Sequence, residues 1–456
     1  VLAQPVDITP TVVRHQLEPR SPPIDPGTDP EYLHYPPPVT VTTPAGGVDQ
    51  TAVPVPAVRI RLAWVVGVVS TAAAVAAAVA MASGEQLDFS VYLMGAHHLA
   101  DGRLYQTSLA EFPHLPFTYP PFAALAFFPL TWLPMRAAQV TWSLVSVAAL
   151  FGLVWLSIRA ALPTLERTRS ILLALVLMSP AVWLEPVHLT FFFGQVNIVL
   201  AAMVLADLTT HLRLGPRALP RGVLVGVAAA VKLVPLVFVP YLFLTRQTRA
   251  AWVALVTFGL CSALDAGIDP RVSWAYWTKY VADAKRVGSV VFISNQSLRA
   301  VADRLDHRVL SNGLVATLSA VVLIAGVVLA GWAYETSSNL LGVLVCATTG
   351  LVVSPITWAH HLVWVVPVLV WLAWAPDRPA YGRLWAVAGA ALFWWSPIWT
   401  VPGGVRNELS EHGWQLLLGN SFFLAMVAFL VGITALLVVR RRSPIGSAGR
   451  PDVHQA

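Results

Sequence analysis

Residues 311–334 read SNGLVATLSAVVLIAGVVLAGWAY, a stretch without one charged side chain. A helix of about 20 residues, rising 1.5 Å per residue, crosses the ~30 Å hydrocarbon layer of a bilayer. Comparable apolar runs recur at 62–83, 138–160, 170–187, 192–209, 222–233, 234–245, 250–267, 338–354, 358–375, 382–399 and 418–439. Of the 456 residues, 57% are hydrophobic and 11% charged, whereas a soluble domain carries roughly a quarter charged residues. A water-exposed fold would have to leave much of this apolar surface in solvent. Lipid offers the backbone no hydrogen-bond partners, so the spans must be helices. The sequence therefore predicts an all-α polytopic membrane protein with about 11–13 transmembrane helices.

The formal net charge is +6. In a membrane chain this reads as the positive-inside bias rather than as nucleic-acid binding. Arg59 and Arg61 precede the first span. Arg159, Arg167 and Arg169 mark one inner loop, Arg213, Arg217 and Arg221 the next, then Arg246 and Arg249, then Arg378 and Arg383. Arg440-Arg441-Arg442 closes the last span. Both termini are then cytoplasmic. Segment 118–135 is apolar but punctuated by Pro120, Pro121, Pro129 and Pro134. Letting it cross would put Arg159 and its neighbours outside, so it is expected to dip into the outer face. The pair 222–233 and 234–245 is too short for two crossings and is expected to form a bent hairpin turning near Lys232 and Pro235. Residues 1–57 are Pro-rich and aperiodic, which predicts a disordered cytoplasmic tail. The membrane domain spans 58–442, and 443–456 form a second cytoplasmic tail. Cys261 and Cys346 sit inside apolar runs and offer neither a disulfide framework nor metal spacing.

The conspicuous polar residues then gather on outer segments. Asp88 lies in Leu87-Asp88-Phe89-Ser90-Val91-Tyr92, just after the first span. A carboxylate at that level suits a general base that takes the proton of an attacking hydroxyl. A helix-end carboxylate facing water is the plainer alternative. Glu185 and the pair Gln195 and Asn197 flank the next outer segment, where amides serve either sugar recognition or helix–helix hydrogen bonds. Lys232 lies between two apolar runs, where it suits a phosphate, a structural ion pair or snorkelling. Tyr119 belongs to Phe117-Thr118-Tyr119-Pro120-Pro121, Asn295 and Gln296 to Ser294-Asn295-Gln296-Ser297, and His360 and His361 to Ser354-Pro355-Ile356-Thr357-Trp358-Ala359-His360-His361. Adjacent histidines point to different helix faces and do not suit one shared metal.

Seven motifs stand in a fixed order: Leu-Asp-Phe-x-Val-Tyr, Gly-x-Leu-Tyr, Phe-Thr-Tyr-Pro-Pro-Phe, Phe-Gly-Gln-Val-Asn, Lys-Leu-x-Pro, Asn-Gln-Ser-Leu and Ser-Pro-Ile-Thr-Trp-x-His-His. From about residue 60 to residue 400 the chain resembles the actinobacterial polyprenol-phosphate-mannose-dependent α-(1→2) mannosyltransferases, glycosyltransferase family 87, with the GT-C membrane fold. The resemblance implies inverting transfer of mannose from polyprenyl-phosphate-mannose, on the outer face of the plasma membrane. The acceptor it implies is a mannose-bearing envelope glycolipid or lipoglycan: a phosphatidylinositol mannoside, lipomannan or lipoarabinomannan. No cofactor or metal is implied. Asp88 matches the general base. His360, His361 and Lys232 match groups for the donor phosphate or sugar. Tyr92, Tyr119, Glu185, Gln195, Asn197, Asn295 and Gln296 are expected to bind the acceptor or sugar. Ala359 stands where many relatives carry Asp, so no acid is expected there. A flippase for a lipid-linked sugar, a transferase for another sugar, and a non-catalytic scaffold are the competing readings. The absence of a visible internal repeat speaks against the flippase.

Overall fold

The computed structural model describes residues 57–111, 113–214, 216–305, 312–403 and 408–442. The expected tails at 1–57 and 443–456 lie outside these residues, save for Ala57 itself. The described residues are mostly helical and have the expected all-α polytopic architecture; the only strands among them are a two-residue ribbon, Arg213–Leu214 against Arg217–Ala218.

In chain order come α1 (Ala57–Met81), α2 (Leu87–His97), α3 (Pro121–Phe127), α4 (Met135–Ala161), α5 (Arg167–Val182), α6 (Glu185–Phe193), α7 (Asn197–Thr209) and α8 (Val223–Val231). Then follow α9 (Phe238–Leu244), α10 (Thr248–Ile268), α11 (Pro270–Ala275), α12 (Leu298–Leu305), α13 (Asn312–Thr336), α14 (Asn339–Val353), α15 (Val365–Trp374) and α16 (Gly382–Trp395). The last long helix is Ser421–Arg442. Among the described residues five helices are long and apolar enough to cross a membrane: Arg61–Met81 of α1, α4, α10, α13 and Ser421–Arg442. The pair α5 and α6 makes a sixth if it is one broken span, and five further apolar helices have 10–17 residues.

Where the chain breaks decides where the site lies. The sequence reads 170–187 as one span, but α5 ends at Val182 and α6 sets off at 76° to it. Pro186 lies in the first turn of α6 and has no amide hydrogen with which to extend the ladder of α5. Hydropathy alone does not register that break. Segment 118–135 forms only short helices, too short to cross. Pro120 caps α3, Pro121 opens it, and a 3₁₀ turn at Phe128–Trp132 follows. About 12 residues reach only ~18 Å.

The hairpin reading of 222–245 also holds. The Arg221 guanidinium donates to Gln247 Oε1 at 2.9 Å, so the two ends of α8 and α9 meet. Asp207, near the end of α7, accepts from the amides of Gly222 and Val225 and caps α8. Lys232 is thereby carried to the hairpin's far end. The same end of the bundle that holds Arg221 also gathers Asn339, which donates to Leu208 O. Arg440 lies there too, bonded to Ser337 Oγ and to the carbonyl of Asp377.

Candidate active site

The site grows from a contact between α2 and the Phe193-Gly194-Gln195 turn. Gly194 closes α6 in the left-handed region at φ 68°. A Cβ there would stand 2.6 Å from Phe89 Cβ, so only glycine lets α2 approach this closely. The Trp142 indole donates to Gly194 O at 2.8 Å, and Gln86 donates to Phe191 O at 3.1 Å. Gly194→Ala combines an unfavourable backbone region with that clash. Its expected cost is about 2–4 kcal/mol, read as a fall in the melting temperature of detergent-purified protein. An unchanged melting temperature would show that the turn yields freely.

With α2 seated, Asp88 in its first turn is half-buried beside Gln195. The Tyr92 hydroxyl donates to Gln195 Oε1 at 2.8 Å, and Gln195 Nε2 donates to the Tyr119 hydroxyl at 3.0 Å. Tyr92 and Tyr119 lie 4.7 Å apart, and Tyr92 stacks on Phe127 at 4.3 Å. Lack of solvent around Asp88 pushes its pKa up to about 6; the Gln195 amide and the Lys232 charge act against that shift.

Lys232 arrives from the hairpin. Its Nζ donates to Asn197 Oδ1 at 2.9 Å and meets His361 Nε2 at 3.0 Å, and it stands 5.7 Å from the Tyr119 ring centre. The His361 ring also meets the backbone of Ile356. A proton on Nδ1, directed to that carbonyl, leaves the Nε2 lone pair for the ammonium. The His360 ring lies 4.8 Å from it at 78°, in keeping with the expectation that adjacent histidines diverge. The His360 carbonyl accepts from Asn197 Nδ2 at 2.9 Å and from Thr190 Oγ1 at 3.2 Å. Its ring is buried against Phe193, and neither ring nitrogen has a partner. A buried imidazole with both nitrogens unmet is what a ligand's hydrogen bond would complete.

Eight of the expected site residues thus converge: Asp88, Tyr92, Tyr119, Gln195, Asn197, Lys232, His360 and His361. Three are elsewhere. Glu185, at the far end of α6, accepts from the Trp399 indole. Asn295 and Gln296 are fully buried, and their amides are spent on the backbone. Asn295 donates to the carbonyls of Val290 and Pro355 and accepts from Thr357 N. Gln296 donates to those of Ile293 and Gly419 and accepts from Phe423 N. Together with Ser294, which accepts from Ala359 N, they fix the extended segment leading to the two histidines.

Sequence reasoning passed over the groups that hold the site. Arg304 is buried, bonds Asn420 and the Asn295 carbonyl, and so braces the same loop. Thr190 and Trp142 do comparable work. All three looked ordinary in the sequence, since only tertiary packing removes their solvent. Among the described residues no three His, Cys, Asp or Glu side chains form a group that could hold a metal.

An open groove leads from Asn197, Lys232 and His361 along Leu200, Val204, Phe238, Leu351 and Trp364. One end is cationic and hydrogen-bonding, the remainder apolar. The Asp88 carboxylate lies near the cationic end, and such a group among apolar, membrane-length helices suits an integral-membrane transferase. The glycosyltransferase family 87 model matches residues 117–355. The chain is 34% identical over 390 residues to the polyprenol-phosphate-mannose-dependent alpha-(1-2)-phosphatidylinositol mannoside mannosyltransferase of Mycobacterium tuberculosis, covering 80% of this chain and 88% of that one. It is 36% identical over 415 residues to the corresponding phosphatidylinositol pentamannoside mannosyltransferase of Mycolicibacterium smegmatis, covering 86% and 94%. The protein therefore belongs to glycosyltransferase family 87. No solved structure matches it.

Proposed function

We propose that the protein transfers mannose from polyprenyl-phosphate-mannose to a phosphatidylinositol mannoside, forming an α-(1→2) linkage with inversion. The names of its relatives favour that acceptor over the larger lipoglycans. The observation that carries the reading is the proximity of Asp88 to the Lys232, His361 and Asn197 group, with Tyr119 beside both. In this reading Asp88 takes the proton from the acceptor hydroxyl as its oxygen attacks the anomeric carbon. The bond from that carbon to the phosphate oxygen breaks, and polyprenyl phosphate leaves with the electron pair. Lys232 and the unmet N–H of the His360 ring stabilise the charge that grows on the phosphate. The apolar groove beyond Lys232 takes the first isoprene units. No step in this scheme calls on a metal or cofactor.

Tyr92, Tyr119 and Gln195 shape the acceptor side, while Asn295 and Gln296 act by holding the histidine loop. Glu185 anchors the outer end of α6 to Trp399. The gathering of Arg221 and Arg440 at the opposite end supports cytoplasmic termini and an outward-facing site in the plasma membrane.

Purified protein in vesicles with labelled polyprenyl-phosphate-mannose and phosphatidylinositol dimannoside tests this. A labelled product that an α-(1→2)-specific mannosidase releases is expected. Translocation of the donor without a new glycosidic bond would instead identify a flippase.

A further inference from the structure

The motif Gly102-Arg103-Leu104-Tyr105 has no part in the chemistry above. Leu104 and Tyr105 are buried, and they anchor a loop that walls a cavity of about 590 Å³. That volume falls within the roughly 300–1,000 Å³ of small-ligand sites. Across it stands the junction of α10 and α11. α10 starts beside Gln247, at the arginine-rich end, and its 21 residues carry the junction to the other end of the bundle. The cavity is thus on the side of the membrane that α10 reaches, the side to which α2 leads from Asp88.

The lining is mixed rather than greasy. Asp101, Gln106, Asp269 and Arg271 supply polar groups, and Tyr105 and Tyr280 supply rings 4.9 Å apart. Asp269 caps α11 through Oδ1, which accepts from the amides of Arg271 and Val272. Its Oδ2 is turned toward Gly102. Arg286 donates to the Tyr105 carbonyl at 2.8 Å and covers the Tyr280 ring, which fixes the aromatic wall. Asp101 is engaged by His98 and Arg103, which leaves Asp269 Oδ2 as the open carboxylate acceptor. With an amide, a guanidinium and aromatic rings beside it the lining matches a neutral polyol, whose hydroxyl proton Asp269 accepts and to whose oxygens Arg271 and Gln106 donate.

A packed aromatic wall separates the cavity from the catalytic group, and the Tyr105 hydroxyl donates to the Tyr119 carbonyl at 2.7 Å within it. Tyr105 lies 5.9 Å from Phe117, and Phe117 lies 5.7 Å from Tyr119, the ring beside Asp88 and Lys232. A ligand that reaches both Asp88 and this cavity must be longer than one sugar ring. We infer that the cavity is a distal acceptor subsite, which binds hexose units of the acceptor remote from the hydroxyl that is mannosylated. The inference rests on the transferase reading above. It makes acceptor length, rather than the donor, the property this surface measures.

The test uses the full chain in vesicles with polyprenyl-phosphate-mannose and two probes, octyl α-mannoside and an octyl α-mannotetraoside. The wild type is expected to prefer the longer probe in kcat/KM. Gln106→Trp fills the cavity from an exposed position, and Asp269→Asn keeps the helix cap while removing the carboxylate charge. Each is expected to lower the ratio of the two kcat/KM values by about tenfold, the loss of one good charged or packed contact. A wild-type ratio near one, or an unchanged ratio in both variants, overturns the subsite while leaving the transferase reading intact. Transfer to neither probe nor to phosphatidylinositol dimannoside by the wild type overturns both.

Discussion

Replacing Asp88 by Asn should slow mannosyl transfer by a factor of about 10²–10⁴ and leave the protein folded. The carboxylate is the only acidic side chain among the eight residues that converge on the site. An amide of the same shape keeps the hydrogen-bonding geometry with Gln195 but cannot take a proton. Loss of a general base costs about 10²–10⁴ in rate, so kcat should fall by about that factor. A positioning role would instead raise KM for the acceptor and leave kcat near normal. The pH profile makes the same point in the wild type. The chain around Asp88 lifts its pKa to about 6, and only the ionised form accepts a proton. Transfer should therefore rise with pH through about 6 and level off above it, and the Asn variant should show no such limb. Stability has its own sign. A carboxyl whose pKa is raised in the fold is costlier to ionise there than in the unfolded chain, so at neutral pH its charge opposes folding. The Asn variant should melt no lower than the wild type. A folded variant with wild-type turnover would remove Asp88 from the chemistry.

Much of this arrangement was legible because its signals are local. The prolines around 118–135 set a helix too short to cross, whatever packs on it. The shortness of 222–233 and 234–245 implied a hairpin, and Lys232 at its turn followed from that. The misreadings share a different cause. The break before Pro186 leaves the apolar run uninterrupted, so a window of hydropathy passes over it. Gln195 and Asn295 are both amides beside apolar helices, and their sequence surroundings are alike. Gln195 faces a carboxylate and two phenols, whereas Asn295 is consumed by Val290, Pro355 and Thr357. Only the path of a distant segment decides which amide remains available. Arg304 makes the same argument from charge. An arginine in a short polar helix is ordinarily solvated, yet Asn420, more than a hundred residues away, closes over it.

Lys232→Met should be the second severe variant, and for a different reason. Methionine keeps the length of the stem and removes only the charge and its donors. In the present structure Nζ is held by Asn197 Oδ1 and His361 Nε2, both neutral. An ammonium among apolar helices with only dipoles for company is expensive unless an anion completes it. Asp88 is near enough to feel the charge but makes no contact with it, which leaves Nζ a direction for a phosphate oxygen. Charge grows on that oxygen as the anomeric bond breaks, so the ammonium stabilises the transition state more than the bound donor. Removal of one such preorganised donor costs roughly 10²–10³ in kcat. The product separates this role from a structural one. Free polyprenyl phosphate carries the charge that Lys232 would meet at the end of the reaction, so it should inhibit the wild type and bind the Met variant far more weakly. The apolar groove beside Phe238 and Trp364 is untouched by the substitution, so if it holds the isoprenoid tail, binding of the tail alone should persist in both. Equal inhibition of the two proteins would mean that the phosphate lies elsewhere and that Lys232 serves only to hold α7 against the histidine loop.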